Sequence, residues 1–382
     1  MNDARNALRT PDTRTGGQRR TQRHPVATVA GVIGEILVLC AIICALYVAW
    51  QLWWTGVEST KSQNDTLSEA SWSAPASASD GSYAIAPEQS PDTAPASTTT
   101  PAEGSLIGQI YIPRFGSAWS RTIVQGTQLR ELNTGGLGHY TETGMPGALG
   151  NFAIAGHRAG YGDPLGDIDK LQAGDAIIVR TEDYWYVYEF TSSELVLPNQ
   201  VEVLYPVPHD ASATPTQRLI TMTTCHPRLQ NPTHRWIAYG ELKYWAKVSD
   251  GIPQELAGAA QSSQGTLFTR TGNSNAQVTA SSLPSPSRMC IALLLAYAAV
   301  WLSAAIAWQW PDIRKRRQNS DYKSFSLCGW YVRLQPGVLP VRACLAVLLA
   351  AAAVAAMFAW VFPWAALNIP YLQLASNYVA VQ

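Results

Sequence analysis

Residues 218–242 read RLITMTTCHPRLQNPTHRWIAYGEL: a β-branched apolar run, a break holding Pro227 and Pro232, and a second run of the same kind. Two strands joined by a loop is the expectation. Working outward, similar short runs recur as LIGQIYIP at 106–113, AIIVR at 176–180, WYVYEF at 185–190 and ELVLP at 194–198. Gly, Pro, Asn and Asp separate them. Repeated short strands with turn punctuation place residues 105–247 in one all-β domain, a barrel or a sandwich. One stretch breaks the pattern: PLGDIDKLQAGD at 164–175 predicts a helical turn closed by Gly174.

Low-complexity segments bracket this domain. Residues 55–104 are rich in Ser, Ala, Thr and Pro, and residues 248–288 are poor in large apolar side chains. Neither composition buries enough surface to offset the entropy of ordering, so both are expected as disordered linkers. The first would span roughly 35–40 Å as a flexible coil. Beyond them lie three apolar blocks, 26–54, 289–310 and 341–367, each near the ~20 residues that cross a bilayer. The first is too long for a signal-peptide core and reads as an uncleaved anchor. Arg5, Arg9, Arg14, Arg19, Arg20 and Arg23 precede it, and Arg314, Lys315, Arg316, Arg317 and Lys323 separate the second block from the third. Basic flanks stay inside. Residues 1–25 and 311–340 are therefore expected in the cytoplasm, with 55–288 and the tail 368–382 outside: a multi-pass protein of the cell membrane in contact with lipid. Glu35, inside the first block, invites a functional reading; a protonated or helix-partnered carboxylate is the plainer one.

Charged residues make up only 14% of the chain and the formal net charge is zero. Residues 57–286 nevertheless carry 13 Lys and Arg against 22 Asp and Glu. Such a surface excludes nucleic acid as a partner, because phosphate binding needs clustered cations. Of six cysteines, Cys225 alone falls in the external part. A solitary thiol in an oxidising space is either an intermolecular bridge, a reactive group or a small buried apolar residue. A nucleophilic cysteine needs an imidazole. Among the external histidines His139, His157, His209, His226 and His234, His226 should face away from Cys225 by strand alternation. His157 follows the apolar run FAIAG and ends a strand of its own. Acyl transfer also needs a donor for the developing oxyanion. Arg235 opens the strand after Cys225, while Arg228 lies in the loop between them. The Cys and His residues lack C-x2-C spacing, so neither a metal nor another cofactor is expected.

Taken together, NFAIAGHRAGYGDPL at 151–165, TMTTCHPR at 221–228 and HRWIAYGEL at 234–242 resemble the three motifs of the sortases. The resemblance covers about 106–242, with Met222 where the family usually has Leu. It implies a sortase-type closed β-barrel with short helices, and a catalytic set of Cys225, His157 and Arg235. GHY, HRAGYGDP and TTCHP resemble class E, which implies an L-A-x-T-G sorting signal in place of L-P-x-T-G; NPTHR is similar to class C, the pilin polymerases. Tyr140, Tyr161 and Thr224 are the expected substrate-binding residues. The implied reaction cleaves the signal between Thr and Gly through a Cys225 thioester. Its implied partners are surface proteins bearing such signals and an amine from a cell-wall precursor or a pilin lysine. A hydrolytic cysteine peptidase and a non-enzymatic surface-binding barrel remain the alternatives.

Overall fold

The computed structural model describes residues 25–77, 82–262, 266–268, 270–271, 283–307 and 327–375. The basic tail before residue 25, the basic residues from 314 to 323, and residues 376–382 lie outside the described residues.

Eight strands close into one barrel in the order β1-β2-β3-β4-β7-β8-β6-β5. They are β1 (Leu106–Tyr111), β2 (Ser120–Gln125), β3 (Leu137–His139), β4 (Gly150–Ala155), β5 (Ala176–Arg180), β6 (Tyr184–Val196), β7 (Arg218–His226) and β8 (His234–Lys247). The all-β expectation holds, and closure selects the barrel over the sandwich. Pairing is antiparallel except at β2–β3 and β4–β7, which run parallel. The predicted turn before Gly174 forms as a short 3-10 helix over Ile168–Lys170.

Ile110, Ile123, Phe152, Ile154, Ile220 and Met222 fill the barrel interior, each at most 1% exposed. The strands β5, β6 and β8 are apolar on their outer faces as well, through Ile178, Trp185, Val187, Tyr244 and Ala246. That second face explains a departure from the expected linkers. Residues Ala86, Ile252, Leu256, Leu267 and Phe268 cover it. The covering is tied down by backbone bonds from the Ala86 N–H to the Ile252 carbonyl (2.9 Å) and from the Gln89 N–H to the Trp245 carbonyl (2.8 Å). Composition concealed this because the contacts come from scattered single apolar residues, not from runs.

The first linker departs at its start too. Helix α1 (Pro25–Ala49) continues through a π-helical turn at Trp50–Trp54 into α2 (Thr55–Ala70). One face of α2 is seated on the barrel: Ser59, Thr60 and Gln63 are buried, and Gln63 Oε1 accepts the Thr122 N–H at 3.1 Å. Helix α3 (Leu129–Thr134) lies between β2 and β3 and packs against α2.

Among the described residues, three helical stretches are long and apolar enough to cross a membrane: Val29–Ala70, Pro286–Ala307 and Leu339–Asn368. By contacts the described residues form two compact units, one within 1–42 and 300–346 and the other within 43–299 and 347–382. Within the first, Glu35 Oε2 accepts the Leu327 N–H at 2.6 Å, which is the helix-partnered carboxylate of the plainer reading. Within the second, Trp50, Trp54 and Phe362 form a small aromatic cluster with Tyr47 and Phe358.

Truncating a fully packed interior ring removes both its transfer energy and its neighbours' contacts. Phe152→Ala is expected to cost about 3–5 kcal/mol, read as a lowered denaturant midpoint of barrel tryptophan fluorescence in the full chain.

Candidate active site

Strands β7 and β8 form an unbroken antiparallel ladder to their ends, where Cys225 lies opposite Arg235 and His226 opposite His234. Directly opposed residues point to the same face. Arg235 Nη1 consequently reaches Cys225 Sγ and donates to it at 3.0 Å. Both residues are buried, Cys225 at 7% and Arg235 at 8% exposure. Burial pushes the Cys225 thiol up from its ordinary range, while the charges of Arg235 and then Arg158 pull it down.

The parallel pair β4–β7 brings in the imidazole. Ala155 lies opposite Thr223. Side-by-side running continues past the end of β4, because the Gly156 N–H donates to the Thr223 carbonyl (3.1 Å) and the Thr224 hydroxyl donates to the Gly156 carbonyl (2.7 Å). One step on, His157 stands at the level of Cys225. Its ring is 3% exposed and stacks on Tyr161 with centroids 4.7 Å apart. Nε2 lies 2.7 Å from Asn133 Oδ1. An amide oxygen only accepts, so Nε2 carries the proton and Nδ1 is the basic atom. Burial lowers this imidazole to about 4. At neutral pH the resting site therefore holds a neutral thiol beside a guanidinium, with a neutral imidazole at the same level on the chain beyond β4. Attack by such a thiol passes a proton to the imidazole, an arrangement suited to nucleophilic acyl transfer.

Around this trio the expected residues take different places. Tyr140 donates or accepts at Thr223 Oγ1 (3.0 Å) and lines a small groove with Thr223, Arg235, Val196, Val201 and Ile237. Tyr161 belongs to the histidine's face, outside that lining. The side chain of Thr224 is spent on the Gly156 carbonyl, tying β7 to the chain beyond β4, and its neighbour Thr223 is the one that lines the groove. Arg228 pairs with Asp163 and Asp167, each at 3.5 Å. His226, on the last residue of β7, accepts from Arg158 Nη1 through Nδ1 at 2.7 Å.

Two residues escaped the sequence reading. Arg158 is 4% exposed, sits 5.0 Å over the Trp236 ring and pairs with Asp169 at 3.2 Å. Its adjacency to His157, like that of Trp236 to Arg235, was the available signal. Asn133 gave none: it lies in a six-residue helix with no motif around it.

A model of the sortase domain matches residues 110–243. Sortase SrtE2 of Streptomyces coelicolor is 31% identical over 257 residues, covering 63% of this chain and 94% of that protein. Sortase SrtE1 of the same organism is 32% identical over 249 residues, covering 63% of this chain; the chain spans 64% of that relative's length. Among solved structures, the SrtA sortase from Actinomyces oris is 40% identical with a TM-score of 0.42, covering 44% of this chain and 96% of that one.

The buried imidazole has a consequence for stability. An unfolded histidine titrates near 6.5, above the value of about 4 in the folded site. Between those values the unfolded chain binds the extra proton, so stability is complete above about pH 6.5 and is lost as pH falls towards 4. Full loss amounts to roughly 3 kcal/mol. His157→Gln should remove this part of the acid slope while His139 and His226 keep theirs, measured as denaturant midpoints from pH 7 to 4.

Proposed function

The chain belongs to the sortase family, and from that premise we propose that it is a membrane-bound cysteine transpeptidase acting outside the cell on sorting signals. The signal is L-P-x-T-G-like, with L-A-x-T-G favoured by the class E resemblance, and cleavage falls between Thr and Gly.

Cys225 Sγ attacks the Thr carbonyl carbon and its proton passes to His157. The Thr–Gly bond breaks as the imidazolium returns that proton to the departing Gly amine, leaving a thioester on Cys225. An incoming amine, from a cell-wall precursor, attacks the thioester and gives its proton to His157, and the thiol is regenerated. Arg235 supplies a permanent charge at the sulfur and at the oxygen that becomes negative. The groove beside Tyr140 offers Val196, Val201 and Ile237 as apolar partners for the signal's side chains.

One observation carries this reading: the 3.0 Å contact between Arg235 and Cys225, at the height where the chain beyond β4 delivers His157. The external placement is supported by the apolar helices and by the basic residues that flank the first and separate the second from the third in the sequence.

Full-length protein given a labelled sorting peptide should form a thioester adduct, seen by intact mass. Cys225→Ala should abolish the adduct, and Cys290→Ala should leave it intact; the reverse pattern ends the assignment. Arg235→Ala should lower kcat by about 10²–10³, the cost of losing one oxyanion donor. Product that depends on added amine supports transpeptidation, whereas free acid alone indicates a hydrolytic peptidase.

A further inference from the structure

The loop that follows His157 is held in an unfavourable backbone shape. Four consecutive residues have left-handed φ angles: Gly160 at 72°, Tyr161 at 53°, Gly162 at 85° and Asp163 at 46°. For Tyr161 and Asp163 that conformation costs on the order of 1–2 kcal/mol each, and it persists only where surrounding groups over-determine it. Part of the restraint comes from the loop itself and from the barrel. The Asp163 N–H donates to the Gly160 carbonyl (2.9 Å), and Arg121 Nη2 donates to the Gly162 carbonyl (2.9 Å).

The rest comes from the helix that follows the first apolar span. The Tyr161 N–H donates to Thr55 Oγ1 at 2.9 Å, and the same hydroxyl donates to the Gln51 carbonyl at 2.7 Å. Thr55 is 2% exposed. It follows directly on the π-helical turn Trp50–Trp54, where the widened winding changes the direction of the side chains that follow. Gly160 is where loop and helix meet: a Cβ there would stand 3.0 Å from Gln51 Nε2 and 3.2 Å from the Gln51 carbonyl. A side chain there would require Gln51 to give way, at a position whose φ already favours glycine.

What the helix holds is the support of the imidazole. Tyr161 is the ring stacked on His157. Asn133, the partner of His157 Nε2, lies on α3, which packs against α2. Both restraints on the histidine therefore rest on the same helix.

We propose that the helix leaving the first apolar span is a working part of the site, with Thr55 a positioning residue that acts through Tyr161 to fix the ring of His157. The inference rests on the transpeptidase reading of His157. A barrel cut free of residues 50–70 would keep its catalytic trio and lose this brace.

The test uses the full chain in nanodiscs and compares Thr55→Val, Thr55→Ser and, as a control on an exposed face of the same helix, Asp65→Ala. Thr55→Val should lower kcat for thioester formation by about tenfold or more, since small misplacement of a catalytic group is costly, with KM within twofold. Thr55→Ser, which keeps the hydroxyl, should stay within twofold of the parent, as should Asp65→Ala. Deuterium exchange of the segment 158–163 should quicken in Thr55→Val alone. Thr55→Ala, which adds no bulk, repeats the test should the valine chain fail to fold. Parental kcat and parental exchange in Thr55→Val, or damage in Thr55→Ser equal to that in Thr55→Val, would overturn the proposal. If the parent chain itself forms no thioester, the transpeptidase reading falls, and the exchange measurement alone then decides whether Thr55 braces the loop.

Discussion

The bond from the Arg235 guanidinium to the Cys225 sulfur depends on β7 and β8 keeping register to their last residues. A slip of one place would turn one partner to the opposite face and leave a buried guanidinium facing no sulfur. The ladder is protected by what surrounds it. β7 is clamped on its other edge by parallel β4, and β8 is paired along its length with β6. Ile220 and Met222 on β7, and Ala238 on β8, are wholly buried in the barrel interior, so any slip would expose core. The contact between Arg235 and Cys225 is thus a by-product of core packing.

Electrostatics at the site work in opposition. Burial raises the thiol and lowers the imidazole, which keeps both uncharged at rest. Arg235 and Arg158 counter part of that burial at the sulfur. At rest the arrangement stores no free thiolate that would oxidise or react indiscriminately. Arg158 joins the two halves of this balance. It follows His157 in the chain, donates to His226 beside Cys225, and stacks over Trp236 beside Arg235.

Much of this was legible in the residues. Alternating runs marked the strands, Pro227 marked the end of the first, and the position of Cys225, His157 and Arg235 at strand ends followed from those limits. The non-alternating runs AIIVR and WYVYEF carried a further message, that β5 and β6 are covered on both faces; the covering segments were hidden because their composition resembles a tether. Thr224 read as a substrate contact, yet its hydroxyl serves the Gly156 carbonyl, since a residue next to a parallel neighbour meets backbone before it meets solvent. Asn133 and Thr55 were invisible for a different reason: each acts across a long stretch of chain through one hydrogen bond, and a single Asn or Thr carries no periodic signal.

The most direct test of the central contact is the pH dependence of Cys225 alkylation, followed by peptide mass in the parent chain and in Arg235→Gln. If the guanidinium acts on the sulfur across the ladder, removing its charge moves the alkylation midpoint to higher pH. An unchanged midpoint in Arg235→Gln would contradict the account.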